Sequence, residues 1–259
     1  MIYDPYSRPF QEDPFPLYRH FLEEEPVTYN EARDFYALFR FEDVWNATLD
    51  WQTYSSSLGP TLENRGELPS AAMSIIAMDP PRQPRLRNIV SKGFTPRRIA
   101  AMEGKTRKLA AHYLDAFVGA GSFDIQREFN VKFPMDVISV LVGIPEKDRD
   151  WYREAVDSGL TRDPETGLPP EDAMQALASS HGFTQELLDE RRKKPQDDLI
   201  SLIAQAQYED VDGERKALTD DEVLAFVRLL AAAGAETTAK LLGNCVVYFF
   251  QHPEQRRLV

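Results

Sequence analysis

The segment AGAETT at positions 233–238 interrupts a long apolar stretch that runs from about residue 218 to residue 250. Glycine destabilises a helix interior by about 1 kcal/mol relative to alanine, and β-branched threonine is also unfavourable there. Apolar residues nevertheless recur at steps of three and four along the stretch, which is typical of a helix. Thr219 and Glu222 have the spacing of a capping box at its start. We therefore expect one long, buried central helix at about 219–250 with a polar site in its middle.

Each unusual residue of this segment also has an ordinary structural explanation. Glu236 and Lys240 have the i,i+4 spacing of a surface ion pair. Thr237 and Thr238 can each donate a hydrogen bond to the carbonyl four residues earlier. Gly234 can let a neighbouring helix approach. The combination of small residues, an acid and an alcohol instead predicts a groove for a small oxygen-containing ligand that must receive protons.

Length and composition limit the classes of protein to which the chain can belong. With 259 residues and 42% hydrophobic content, it can bury a sizeable core, and we expect a single domain over 1–259. Cys245 is the only cysteine, which excludes an intramolecular disulfide and a cysteine-based zinc site. The four histidines show no metal-ligand spacing. No apolar run is long enough to span a membrane, and we expect a cytoplasmic protein.

The charge of the chain is unevenly distributed. The net charge of −12 argues against nucleic acid as a partner. Between Arg82 and Lys108, however, nine basic residues stand beside one acid, Glu103, and we call this range the basic segment. Such a segment is either a solvated helix surface or a docking site for an acidic partner or an anionic cofactor.

The order of patterns along the chain predicts a mainly α fold with a small β element. An amphipathic helix begins near Pro14, a hairpin spans about 26–40, and another helix begins at Phe41. Residues 55–74 are rich in glycine, proline, serine and asparagine, and we expect a long loop there. Further helices are expected at about 83–92, 96–119, 127–142, 146–159, 170–193, 197–207 and 219–250.

Two motifs in this order resemble the cytochrome P450 family of haem-thiolate monooxygenases. AGAETT resembles the family's central-helix motif, in which an acid and an alcohol relay protons to dioxygen. MDPPRQPRLR at 78–87 resembles a segment of the bacterial members, in which a histidine and an arginine four residues apart bond the haem propionates. Here Arg87 takes the arginine position. Gln83 replaces the histidine, and its amide can donate a hydrogen bond but carries no charge.

The resemblance extends in order from about residue 13 to residue 255 and implies an incomplete cytochrome P450 fold and a haem monooxygenase. Heme b would be the cofactor, and dioxygen and a small organic substrate would react on it. An acidic electron donor such as ferredoxin would dock on the basic segment, Arg82–Lys108. The implied site residues are Glu236 and Thr237 for proton transfer, Ala233 and Gly234 for the oxygen groove, Arg87 and Gln83 for the propionates, Leu230 and the loop Ser55–Met78 for the substrate pocket, and Thr161–Pro170 for a mobile lid.

In the family, two further parts of the pattern come after the position at which these 259 residues end. They are the Glu-x-x-Arg pair and the glycine-rich loop whose cysteine ligates the iron. Cys245 lies within the central helix without such a loop, so we do not expect it to act as the ligand. We therefore expect an amino-terminal fragment of a monooxygenase. The alternative is a non-catalytic truncated relic or a helical interaction module that cannot hold haem.

Overall fold

The computed structural model describes residues 1–60, 62, 74–161, 163, 169–210 and 213–259, without the side chain of Leu160. Over these residues the protein is mainly α-helical with two small antiparallel sheets, as the sequence predicted. Among the described helices, none combines the length and the apolar character that crossing a membrane requires.

The elements follow one another as a hairpin enclosed by short helices and then a long helical region. The helices are α1 (Arg8–Glu12), α2 (Pro14–Glu23), α3 (Phe41–Leu49), α4 (Arg82–Ser91), α5 (Pro96–Asp115), α6 (Lys132–Val142), α7 (Arg149–Leu160), α8 (Glu171–Lys193), α9 (Leu199–Ala204), α10 (Asp220–Gln251) and α11 (Pro253–Arg256). The strands are β1 (Val27–Asn30) with β2 (Phe35–Leu38), and β3 (Gln207–Glu209) with β4 (Arg215–Ala217).

The hydrophobic core surrounds the first half of α10. Helices α6, α7, α8 and α9 all contact α10, and α7 also lies along α8. Helix α4 contacts strand β3 and a short helical turn at Ile75–Ala77. The fully buried side chains of the core are contributed by helices distant in sequence: Leu86 and Ile89 of α4, Met135 of α6, Leu188 of α8, Ile200 and Ile203 of α9, and Val223 and Leu224 of α10.

Helix α10 begins as the sequence predicted. The Thr219 hydroxyl oxygen accepts a hydrogen bond from the Glu222 backbone N–H at 3.2 Å. The Thr219 backbone N–H in turn donates to Glu222 Oε2 at 2.8 Å, which completes the capping box. This reciprocal pair satisfies backbone donors that the helix start would otherwise leave without a partner.

The expectation that all of α10 is buried is wrong for its second half. Every residue from Glu222 to Val227 is buried, but beyond Val227 the buried positions of α10 are the alanines 231, 235 and 239. Thr237 is exposed, and Leu241 on the same stripe is 61% exposed. The reason is that no described element covers this side of α10.

The remaining differences concern boundaries and one hairpin. Helix α5 ends at Asp115 rather than near residue 119, and a π-helical turn at Gln126–Asn130 precedes α6. Helix α9 ends at Ala204, and the hairpin β3–β4 follows it where the sequence predicted no strands. Gly213 in the connection has a φ of +78° and follows an aspartate. Asp-Gly is a strong hairpin signal, so the sequence contained the information.

Candidate functional site

The two hydroxyls of the AGAETT segment bond to their own helix. Thr237 Oγ1 donates to the Ala233 carbonyl at 2.8 Å, and Thr238 Oγ1 donates to the Gly234 carbonyl at 3.1 Å. Both threonines are exposed. Each hydroxyl therefore uses its proton internally while its oxygen can still accept a hydrogen bond from a ligand.

Glu236 forms an exposed ion pair within the same turn. Lys240 Nζ lies 2.6 Å from Glu236 Oε1, and the side chains of Lys240 and Glu236 are 70% and 46% exposed. An exposed i,i+4 pair contributes only about 0.3–0.5 kcal/mol, so it opens easily. The acid is therefore available to a ligand beside α10.

Gly234 and Ala233 face different surroundings. A Cβ atom on Gly234 would lie 3.1 Å from Ile138 Cγ1 of α6, which shows how closely α6 and α10 approach. Gly234 and Thr238 also line a largely apolar cavity of about 610 Å³ between α5, α6 and α10. Ala233 is exposed, and Leu230 is half-buried against the core. The structure thus places Ala233, Glu236 and Thr237 together on the open part of α10, with Gly234 turned towards α6.

The long polar side chains of α4 fall into two sets, one paired with acids of the fold and one without a partner among the described residues. Arg82 Nη2 lies 2.7 Å from Glu222 Oε1, and Arg85 Nη1 lies 2.8 Å from Asp210 Oδ1. Gln83 is half-buried and Arg87 is exposed, and within the described residues neither side chain has a hydrogen bond or an ion pair. Because they are four residues apart, Gln83 and Arg87 lie one above the other on the helix surface. They are therefore free to bind a ligand together.

The basic segment is divided in the same way. Its internally paired members are Arg82 with Glu222, Arg85 with Asp210, Arg98 with Asp197, and Arg107 with Glu103. Within the described part of the chain, five members have no ion pair: Arg87, Lys92, Arg97, Lys105 and Lys108. Acidic partners in the fold therefore neutralise part of the charge that the sequence places here, and a smaller group of cations remains available to an external anion.

A second carboxyl group lies near Glu236. Partial loss of solvent around Asp157, in the last turn of α7, raises the pKa of its carboxyl group above the ordinary value of 3.8. The Glu236 charge raises this pKa further, and the Arg153 guanidinium lowers it. The charges of Asp157 and Glu236 therefore lie close enough to influence each other.

Two predicted parts of the site fall largely outside the described residues. They are the loop Ser55–Met78, of which 61 and 63–73 are not described, and the lid Thr161–Pro170, of which 162 and 164–168 are not described. Within the described part, no group of three or more histidine, cysteine or acidic residues is arranged to hold a metal ion. Cys245 is half-buried on α10.

Sequence patterns did not reveal the link between α4 and α10. Arg82 and Glu222 are 140 residues apart, and no periodicity relates them. The one signal was an acid, Glu222, placed directly before an apolar run, where a buried carboxylate needs a partner.

Known proteins resemble this chain over nearly its whole length. The family model for cytochrome P450 matches residues 170–258. Cytochrome P450 123 of Mycobacterium tuberculosis is 40% identical over 257 residues, which cover 98% of this chain and 63% of that protein. The vitamin D(3) 25-hydroxylase of Pseudonocardia autotrophica is 34% identical, over 99% of this chain and 62% of its own length.

Solved structures have the same arrangement of elements. Cytochrome P450 CYP109Q5 from Chondromyces apiculatus has a TM-score of 0.81 at 30% identity, covering 98% of this chain and 62% of its own. The cytochrome P450 PksS of Bacillus subtilis has a TM-score of 0.82 at 29% identity, covering 99% of this chain and 64% of its own. The chain spans less than two thirds of the length of these relatives. By sequence and by fold, the chain belongs to the cytochrome P450 family.

Proposed function

We propose that this chain forms part of a haem-dependent monooxygenase, which uses dioxygen to oxidise a small organic substrate. The observation that carries the proposal is the adjacent acid and alcohol, Glu236 and Thr237, on the open side of the long helix α10. Members of the family bind haem, which supplies the activation of dioxygen when it is bound. The residues of this chain would hold the haem and deliver protons.

The free side chains of α4 fit the propionate groups of a haem. Arg87 is exposed and has no ion pair among the described residues, so its guanidinium can donate charge-assisted hydrogen bonds to a carboxylate. Gln83, one turn earlier, can donate from its amide. Arg87 would contribute most of the electrostatic attraction because Gln83 is uncharged.

The described residues do not include a fitting thiolate ligand for the iron. Cys245 is half-buried within α10, about two turns after Thr237, and so it lies in a helix rather than in a loop that could present its sulfur to a haem. We therefore assign no iron ligand to Cys245, and the site as proposed comprises the propionate side and the oxygen side.

Proton delivery would use the weak internal bonds of the AGAETT segment. The Thr237 hydroxyl can accept a hydrogen bond from a water in the groove while it donates to the Ala233 carbonyl. The Glu236 carboxylate can leave Lys240 at little cost and take a proton from solvent. Glu236 would then pass that proton to the water or oxygen atom that Thr237 orients. Ala233 keeps the groove beside Thr237 free of side-chain bulk, and Gly234 sets its depth by bringing α6 close.

The substrate and the electron donor would approach other parts of the protein. Leu230, about two turns before Thr237, would line the substrate pocket. An acidic electron donor such as ferredoxin would dock on the unpaired cations of the basic segment, since opposite charges speed and orient such encounters.

Two single substitutions, one at each threonine, test whether Thr237 and Thr238 have different roles. In the haem-loaded protein, supplied with a chemical reductant, Thr237→Ala should raise the fraction of consumed dioxygen that is released as hydrogen peroxide, because a positioned proton-transfer group is lost. Thr238→Ala is the matched control, because Thr238 makes the same hydrogen bond to its helix but lines the cavity beside α6. Equal peroxide yields from both variants and the parent contradict the role of Thr237.

The apolar side chains on the open part of α10 favour a second candidate function. Leu241, Val247 and Tyr248 are 61%, 54% and 60% exposed. Exposed apolar surfaces of this kind mark interaction sites. The protein would then be a helical interaction module that does not hold haem. Titration with haemin distinguishes the two, since the module should give no saturable change in the haem absorption spectrum.

A further inference from the structure

One buried carboxylate connects the two helices that carry the candidate site. Glu222 Oε2 accepts hydrogen bonds from the Thr219 backbone N–H at 2.8 Å and the Thr219 hydroxyl at 3.2 Å. Glu222 Oε1 accepts from Arg82 Nη2 of α4 at 2.7 Å. The two oxygens of Glu222 therefore serve different elements: one completes the cap of α10, and the other holds α4.

The burial of Glu222 makes this link difficult to replace with water. The Glu222 side chain is only 9% exposed, whereas that of Arg82 is 52% exposed. A carboxylate removed from water must be compensated by a charge or by hydrogen bonds. Within the described residues, Arg82 supplies the only cation bonded to this carboxylate. This ion pair therefore links the buried first turn of α10 to the first turn of α4.

A second ion pair acts on α4 from the hairpin. Arg85 Nη1 bonds to Asp210 Oδ1 at 2.8 Å, and Lys216 Nζ bonds to Asp210 Oδ2 at 2.7 Å. Arg82 and Arg85 lie three residues apart and hold the same region of α4. Gln83 and Arg87, by contrast, have no side-chain partner among the described residues. The side chains that orient α4 are thus different from those available to a ligand.

We propose that Glu222 is a positioning residue: through Arg82 it fixes α4 relative to α10 and so sets where Arg87 stands relative to Thr237. This inference rests on the proposed haem function, because it assigns the positioned arginine to the haem propionates. In this role Glu222 and Arg82 would act through the position of α4 and not by binding the cofactor or substrate themselves. Their effect would be to hold the propionate side and the oxygen side in one arrangement before haem binds, which lowers the cost of ordering on binding.

Two substitutions separate this role from helix capping. Glu222→Gln keeps the capping box, because glutamine serves at this position as well as glutamate does, but it removes the charge that attracts Arg82. Arg82→Gln breaks the same pair from the other end and leaves the cap unchanged. The matched control is Asp221→Asn, which removes one charge from the same turn. Asp221 is exposed and has no hydrogen bond or ion pair to α4 among the described residues.

The first measurement needs no haem. Spin labels are attached at Asn88→Cys on α4 and Asn244→Cys on α10, both exposed, in a Cys245→Ser background. Pulsed electron paramagnetic resonance then gives the distribution of distances between the two labels. We expect Glu222→Gln to shift or broaden this distribution by about 1–2 Å, the size of common helix shifts.

Arg82→Gln should give the same change as Glu222→Gln in that measurement, and Asp221→Asn should give the parental distribution. Parental distributions in both pair variants overturn the proposal. A change in the Asp221→Asn control as large as in the pair variants also overturns it, because the effect would then be general electrostatics.

The second measurement is haem affinity, followed by absorbance during haemin titration of the full chain without labels. Glu222→Gln and Arg82→Gln should each weaken binding about tenfold, because haem would then have to order α4 relative to α10 when it binds. Arg82→Lys, which retains the charge, should restore part of the affinity.

The reference for this second measurement is Arg87→Gln. If Arg87→Gln weakens haem binding while the Glu222 and Arg82 variants bind like the parent, the positioning role is wrong and the proposed function stands. If Arg87→Gln itself has no effect, the haem function assigned to α4 is wrong, and the positioning inference that rests on it is overturned too.

Discussion

The Asp198 carboxylate fills the space beside Gly143. A Cβ atom on Gly143 would lie 2.5 Å from Asp198 Oδ2, and Gly143 ends α6 with a φ of +107°. The same carboxylate accepts from Arg191 Nε at 2.6 Å and caps α9 by accepting from the Ser201 backbone N–H at 2.8 Å. One aspartate therefore joins the ends of α6, α8 and α9, next to the core that supports α10.

This contact predicts a large cost for a small substitution. Gly143→Ala should lower the free energy of unfolding by about 2–4 kcal/mol, because alanine disfavours a positive φ and its Cβ displaces the Asp198 carboxylate. Urea unfolding followed by circular dichroism measures the change. Gly182→Ala in α8 is the control: no atom lies within 4 Å of its added Cβ, so it should stabilise by about 1 kcal/mol. Equal effects of the two substitutions would show that the backbone and contact argument is wrong.

The raised pKa of Asp157 should make the free energy of unfolding depend on pH. Its folded pKa is raised above 3.8, mainly by loss of solvent and also by the Glu236 charge. The protonated carboxyl therefore favours the folded state, and this contribution is present below pH 3.8 and lost as the pH rises through the folded pKa. At pH 7 the Asp157 carboxyl is charged and destabilises the folded state, and Asp157→Asn removes this charge. The substitution should therefore stabilise the protein by about 0.3 kcal/mol, a small amount because the group is exposed.

The advantage of Asp157→Asn should shrink as the pH falls towards 3.8. Urea midpoints measured between pH 7 and pH 4.5 follow this trend, and they stay above the range in which other carboxyl groups begin to protonate extensively. Glu154→Gln, at an exposed acid of the same helix with no hydrogen bond or ion pair among the described residues, is the control. An advantage of Asp157→Asn that grows on acidification contradicts the predicted direction of the pKa shift.

The unpaired cations of the basic segment predict a salt-dependent encounter. The double variant Lys105→Gln/Lys108→Gln should slow association with an acidic two-iron ferredoxin about three- to tenfold at low salt. The difference should largely disappear near 0.5 M salt, at which surface charges are screened within about 4 Å. Stopped-flow kinetics measure both, with Lys147→Gln, an exposed lysine outside the segment, as the control. Equal slowing by the control would remove the docking role from this segment.

Local signals in the sequence predicted what local forces decide. The capping box of Thr219 and Glu222, the hairpin at β1–β2 and the order of helices all follow from spacings of a few residues, and the structure confirms them. The i,i+4 bonds of Thr237 and Glu236 were also predictable, because neighbouring turns of one helix fix their geometry.

Long-range contacts could not be read in this way. The pair Arg82–Glu222 depends on how α4 and α10 come together, and no sequence pattern encodes the partner of a particular arginine. The exposure of Leu241 has the same origin, since the apolar period of α10 predicts a covered stripe but not which element covers it. The neutralisation of Arg85 and Arg98 by Asp210 and Asp197 likewise altered the charge expected for the basic segment.

Titration with haemin shows whether this chain presents a haem-binding arginine on α4 and a proton-delivering pair on α10. Arg87→Gln should raise the haem dissociation constant at least tenfold, which is about 1.4 kcal/mol. Lys92→Gln, which removes an exposed cation that lies just after α4 and has no ion pair among the described residues, should bind like the parent. Saturable binding that Arg87→Gln weakens and Lys92→Gln does not is the predicted result. No saturable binding by the parent, or equal affinities in all three proteins, would show that Arg87 does not bind haem.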